Sequence, residues 1–179
     1  MQGREHSVIR EGTIVGILGA VVDAFWLLAF DVAAGRPLQT PSALGRVFFA
    51  GDIHPGAREI SPEAVLGFSF IHVIMYLIAG VGLTGVVHLV SRNPAFRMGL
   101  WIGLVVVFGY FAGLAYMLAT STGDRVSFWP VALGNLLALV AMAWYLWRRH
   151  PRLATRAPLG AEVKTTPHAP GAPGGASPR

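Results

Sequence analysis

The chain has 179 residues, a net charge of +5, and a composition that is 54% hydrophobic but only 13% charged. A soluble domain carries roughly 25% charged residues, so one compact membrane domain is the natural expectation. The lack of cysteine excludes disulfides, thiolate catalysis, iron–sulfur ligation and covalent haem attachment. The lone lysine, Lys164, lies in the tail and so leaves no buried Schiff base among the apolar segments.

Four apolar runs set the expected fold. They give membrane helices at about 12–34, 64–90, 98–120 and 126–147, each longer than the ~20 residues that cross about 30 Å of hydrocarbon. The sequence therefore predicts an all-α integral membrane protein, a four-transmembrane-helix antiparallel bundle. Residues 1–11 form the N-terminal segment, 12–147 the membrane domain and 148–179 a basic tail. Arg4 and Arg10 flank the first run, but its length and the interruption at Asp23 predict a retained helix rather than a cleaved signal.

The connection after the first run has a pattern of its own. Thr40 and Pro41 resemble an N-cap followed by proline at the first helical position, and Leu44, Val47 and Phe48 recur at helical spacing before Gly51. This predicts a short amphipathic helix over 41–50, lying on the extracytoplasmic surface or capping the bundle. Ser61, Pro62 and Glu63 then signal the start of the second membrane helix. Asp31 and Arg36 are expected to pair, whereas Asp52, His54 and Glu59 read as a solvated turn. Asn93–Pro94 and Ser121–Arg125 mark tight turns between antiparallel neighbours. Proline, alanine and glycine dominate beyond His150, which predicts a disordered tail.

Arginines decide the expected orientation. Arg4, Arg10, Arg92, Arg97, Arg148, Arg149, Arg152 and Arg156 fall on one side. Arg36, Arg46, Arg58 and Arg125 fall on the other, offset by Asp52, Glu59, Glu63 and Asp124. Both termini are accordingly expected in the cytoplasm, in a bacterial-type cytoplasmic membrane. Arg148, Arg149, Arg152 and Arg156 are placed to hold anionic lipid headgroups. This basic character follows from membrane flanks and does not point to nucleic acid.

Asp23 is the central candidate residue. It lies about 16 Å along the first helix, close to the bilayer centre, where a bare aspartate costs roughly 2.5–3.5 kcal/mol. His72, Asn135 and Tyr110 fall at similar depths on the other helices, and Ser69, His72 and Tyr76 share a stripe with Ala79 and Gly80. The expected cluster pairs Asp23 with His72 and adds Tyr110, Asn135, Ser69 and Tyr76, either as a packing lock or as a proton or polar-ligand site. Gly12/Gly16, Gly99/Gly103 and Gly109/Gly113 are small-xxx-small pairs suited to close helix packing.

The remaining chemistry is sparse. His72 and His88 are separated by about 24 Å along one helix and cannot share a haem, and His88 reads as an interfacial residue. No catalytic motif, metal site or bound cofactor is expected from the sequence. The leading functional expectation is a non-enzymatic accessory or structural subunit, with the lipid bilayer, other membrane subunits or a second copy as partners. The alternatives are a proton-coupled or small-solute transporter using Asp23 and His72, and below it a haem- or quinone-binding redox subunit.

Overall fold

The computed structural model describes residues 8–52, 60–92, 97–121 and 127–150. Among them it forms five helices and no strand: α1 Val8–Ala33, α2 Gln39–Ala50, α3 Pro62–Arg92, α4 Arg97–Ser121 and α5 Phe128–Arg149. Of these, α1, α3 and α5 are long and apolar enough to cross a membrane. Their outward faces carry large apolar side chains, including Phe25, Phe70 and Val140, each more than half exposed. Asp23, Asp31, Glu11 and Thr84 are buried instead. Apolar outside and polar inside is the arrangement lipid selects, and it points to a membrane location.

Glycines decide how the helices meet. A Cβ on Gly12 would strike the backbone of Val81, and one on Gly16 would reach Leu77 Cα at 2.7 Å. From the other side, a Cβ on Gly80 would reach Gly16 Cα at 2.6 Å. These positions bring the α1 and α3 backbones into direct contact, running antiparallel. Gly19 makes a similar approach to Tyr76 and to Met142 of α5. The result is a three-helix seam in which α1 packs against both α3 and α5. Val15 and Ala138 are fully buried in it, with Met142 and Leu146 nearly so.

The fourth long helix stands apart from this seam. It packs chiefly on α5 and less on α3, and Gly109 and Gly113 have no neighbour within 4 Å of an added Cβ. Among the described residues, nothing packs closely against Gly109 or Gly113 as the small-xxx-small spacing would allow. Among the described residues α1, α3 and α5 meet in one seam, because the α1 glycines bring α3 and α5 onto it from two sides.

Local signals explain most boundaries. Ser61 Oγ accepts the Ala64 N–H at 3.3 Å and donates to Glu63 at 2.9 Å, with Pro62 opening α3. Gly51 ends α2 in the left-handed conformation, as expected. The start of α2 differs from expectation. It begins at Gln39 after Leu38, which takes a positive φ of 64°. Asp31 supplies the cap from α1, accepting Thr40 N–H at 2.7 Å and Thr40 Oγ1–H at 2.6 Å. That carboxylate is thus used on α2 rather than in the expected pair with Arg36. Gly45 sits against the Ala64 backbone, and Ser61 N–H donates to Ser42 Oγ at 3.0 Å, so α2 caps the start of α3. Arg46 pairs with Asp52 at 2.8 Å, while His54 and Glu59 lie outside the described residues.

Candidate functional site

Two carboxylate–histidine clusters lie along the α1 seam. The first joins Asp23 of α1 to His72 of α3, with Nε2 2.8 Å from Oδ2 and placed to donate to it. Asp23 is only 3% exposed. Its neighbour across the seam is Gly134 of α5, where a Cβ would collide with Asp23 Oδ1 and approach Trp26 to 2.9 Å. Glycine at that position makes room for the carboxylate. Oδ1 itself has no hydrogen-bond partner among the described residues.

The surrounding side chains hold the pair in place. His72 lies between Phe68, with ring centroids 5.6 Å apart, and Tyr76, edge-on at 4.8 Å. Tyr76 donates its hydroxyl proton to Asn135 Oδ1 at 3.1 Å, and Asn135 Nδ2 donates to Val131 O at 2.9 Å. Trp26 donates its indole N–H to Pro130 O at 2.9 Å. The Tyr76 hydroxyl and the Trp26 indole N–H are thus tied to α5, which fixes the register of α5 against both α1 and α3.

The sequence-based set is only partly assembled. Asp23, His72, Tyr76 and Asn135 converge. Ser69 is exposed and donates back to Val65 O at 2.7 Å within its own helix, so it does not join the cluster. The Tyr110 side chain lies outside the described residues. Among the arginines assigned to headgroups, Arg148 covers the Trp144 ring at 4.2 Å and Arg149 covers Tyr145 at 5.5 Å. Arg152 and Arg156 lie outside the described residues.

The second cluster is one that the sequence reading missed. Glu11 of α1 is 6% exposed, with His88 Nε2 3.1 Å from its Oε2 and His150 Nε2 3.0 Å from its Oε1. The two rings meet edge-on at 5.0 Å. His88 therefore has a buried partner on α1, and His150 is the C-cap of α5. A signal was present: His72, Tyr76, Gly80, Thr84 and His88 follow one another at helical spacing along one face. Thr84 is fully buried on that face, with Oγ1 unpartnered among the described residues.

An apolar groove of about 680 Å³ runs between α1 and α5, lined by Val22, Phe25, Trp26, Leu137, Ala141 and Trp144 among others. Neither Asp23 nor His72 lines it. No protein-family model, curated protein or solved structure matches this chain.

Proposed function

We propose that this is a non-enzymatic integral membrane protein, an accessory or structural subunit whose polar side chains serve to lock its own helices. The observation that carries this reading is the burial of the Asp23 carboxylate. In a solute pathway, ionisable side chains face a water-filled cavity. Here the carboxylate is 3% exposed and is enclosed by Gly134, Tyr76 and Trp26. The adjoining groove is lined by apolar side chains. The lightly packed α4, with Trp101, Ile102, Val105 and Val106 exposed, leaves an apolar face for another membrane subunit or a second copy.

The reading includes four spans with both termini in the cytoplasm. Antiparallel contacts of α1 with α3 and α5 make α3 and α5 parallel to each other. If both cross the bilayer, the chain leaving α3 at one face must reach α5 at the opposite face. The 25 residues of α4 span about 37 Å as a helix, enough for that crossing. The arginine distribution then supports an extracytoplasmic α2 and a cytoplasmic Glu11 end.

A second reading has one observation in its favour. Oδ1 of Asp23, unpartnered among the described residues, is an acceptor beside a histidine, which supports proton coupling as the alternative. Native mass spectrometry of the full chain in mild detergent tests the first reading. A reproducible complex with other membrane subunits or a second copy is the expected result, and a clean monomer overturns it. Proton flux into proteoliposomes that disappears in Asp23→Asn would instead establish the second.

A further inference from the structure

Far from Asp23, at the end of the seam where α1 begins and α3 and α5 finish, three helices each contribute one ligand-type side chain. We propose that Glu11, His88 and His150 bind a divalent first-row transition-metal ion, zinc foremost. The three donor atoms all lie within 4.8 Å of one another. The two Glu11–His separations, 3.1 and 3.0 Å, are close to the spacing of about 3.3 Å between neighbouring donors on a tetrahedral ion with bonds of about 2.0–2.1 Å. The two imidazole nitrogens, within 4.8 Å of each other, close toward that spacing when an ion is centred among the three donors.

The donor set selects the class of ion. Two imidazoles and one carboxylate suit zinc and its neighbours in the first transition row. Calcium and magnesium prefer shells of oxygen ligands, and this site offers a single carboxylate. Three protein ligands leave a fourth position for water or another ligand. Each ring presents Nε2 toward Glu11, so binding moves the Nε2 proton to Nδ1 and leaves a neutral imidazole with its lone pair on the metal. No net proton is released by a ring that starts neutral.

Burial and access are also suitable. Glu11 is held inside the seam, whereas the side chains of His88 and His150 remain 19% and 18% exposed and leave an entry route past the rings. The ligands are far apart in sequence, so the ion would clamp the starts and ends of α1, α3 and α5 together. This site stands independently of the accessory-subunit reading, which rests on the distant Asp23 cluster.

The test uses the full chain without a polyhistidine tag, in mild detergent and stripped of metal with a chelator. Calorimetric titration with Zn²⁺ is expected to saturate at one ion per chain and to raise the melting temperature. Co²⁺ should give visible absorption bands of a nitrogen- and oxygen-ligated site. His88→Gln, His150→Gln and Glu11→Gln should each weaken binding by at least about tenfold. His150→Gln alters only the end of α5, so retained helical circular dichroism keeps that comparison sound even if Glu11→Gln fails to fold. Replacing His6 and His168 by alanine should leave binding unchanged. Absence of saturable binding, survival of full affinity in His88→Gln/His150→Gln, or loss of binding with His6 and His168 would each overturn the proposal.

Discussion

At the scale of single residues, Asp23 and His72 should be energetically coupled. His72→Ala leaves a carboxylate buried without its donor and is expected to cost about 2–3 kcal/mol. Asp23→Asn replaces the carboxyl group by an amide and should cost about 1 kcal/mol, since the amide can still hydrogen-bond. In the Asp23→Asn background, His72→Ala should become cheaper, giving a coupling near 1 kcal/mol, within the range known for polar pairs between membrane helices. Unfolding in one detergent for the four combinations measures this, and additivity within about 0.5 kcal/mol would count against direct pairing. Asp23 and His72 were legible in the sequence because depth along two apolar helices is a simple function of residue number. Glu11 and His150 were not, because each sits at a run's edge, where a polar residue is unremarkable. The antiparallel register supplies the missing step: moving back from Asp23 to Glu11 carries α3 forward from His72 to the turn of Thr84 and His88. Asp31 was misassigned for a related reason. Its neighbour in sequence, Arg36, offers charge, but the free N–H of Thr40 at the start of α2 offers a shorter and better-directed partner.

At the scale of helices, the glycines divide into two groups that composition alone does not separate. Gly12, Gly16 and Gly80 meet backbone atoms that cannot give way, whereas Gly109 and Gly113 face open space. Gly80→Ala should force α1 and α3 apart at a cost of about 1–3 kcal/mol. Gly109→Ala and Gly113→Ala should be neutral or slightly stabilising for the isolated chain, because alanine favours a helix by up to about 1 kcal/mol over glycine. Thermal unfolding in the same detergent distinguishes the groups, and equal losses at Gly80 and Gly113 would sink the seam as described. The small-xxx-small spacing is identical in both groups, so sequence could identify helices able to approach closely but not which of them do. The short α2 was legible through Gly51 and its periodic apolar residues. Its true start was hidden because the cap comes from α1, not from the residue preceding the helix.

At the scale of the whole molecule, the direction of each helix turns into a test of topology. Glu11, His88 and His150 gather at one end of the seam, while Trp26, Pro130 and the α2 cap lie at the other. Ser91 therefore belongs to the first end and Ser127 to the second, with α4 bridging them, and both positions are exposed. The proposed orientation puts this end, with the adjoining Arg10, Arg148 and Arg149, in the cytoplasm on the strength of the positive-inside rule. Because the chain has no cysteine, Ser91→Cys and Ser127→Cys each introduce a unique thiol without further substitution. In intact spheroplasts, a membrane-impermeant maleimide should label Ser127→Cys but reach Ser91→Cys only after permeabilisation. Reversed labelling would keep four crossings and invert the orientation. Labelling of both from the same side would mean that α4 does not traverse the bilayer, and parallel spanning by α3 and α5 would fail with it.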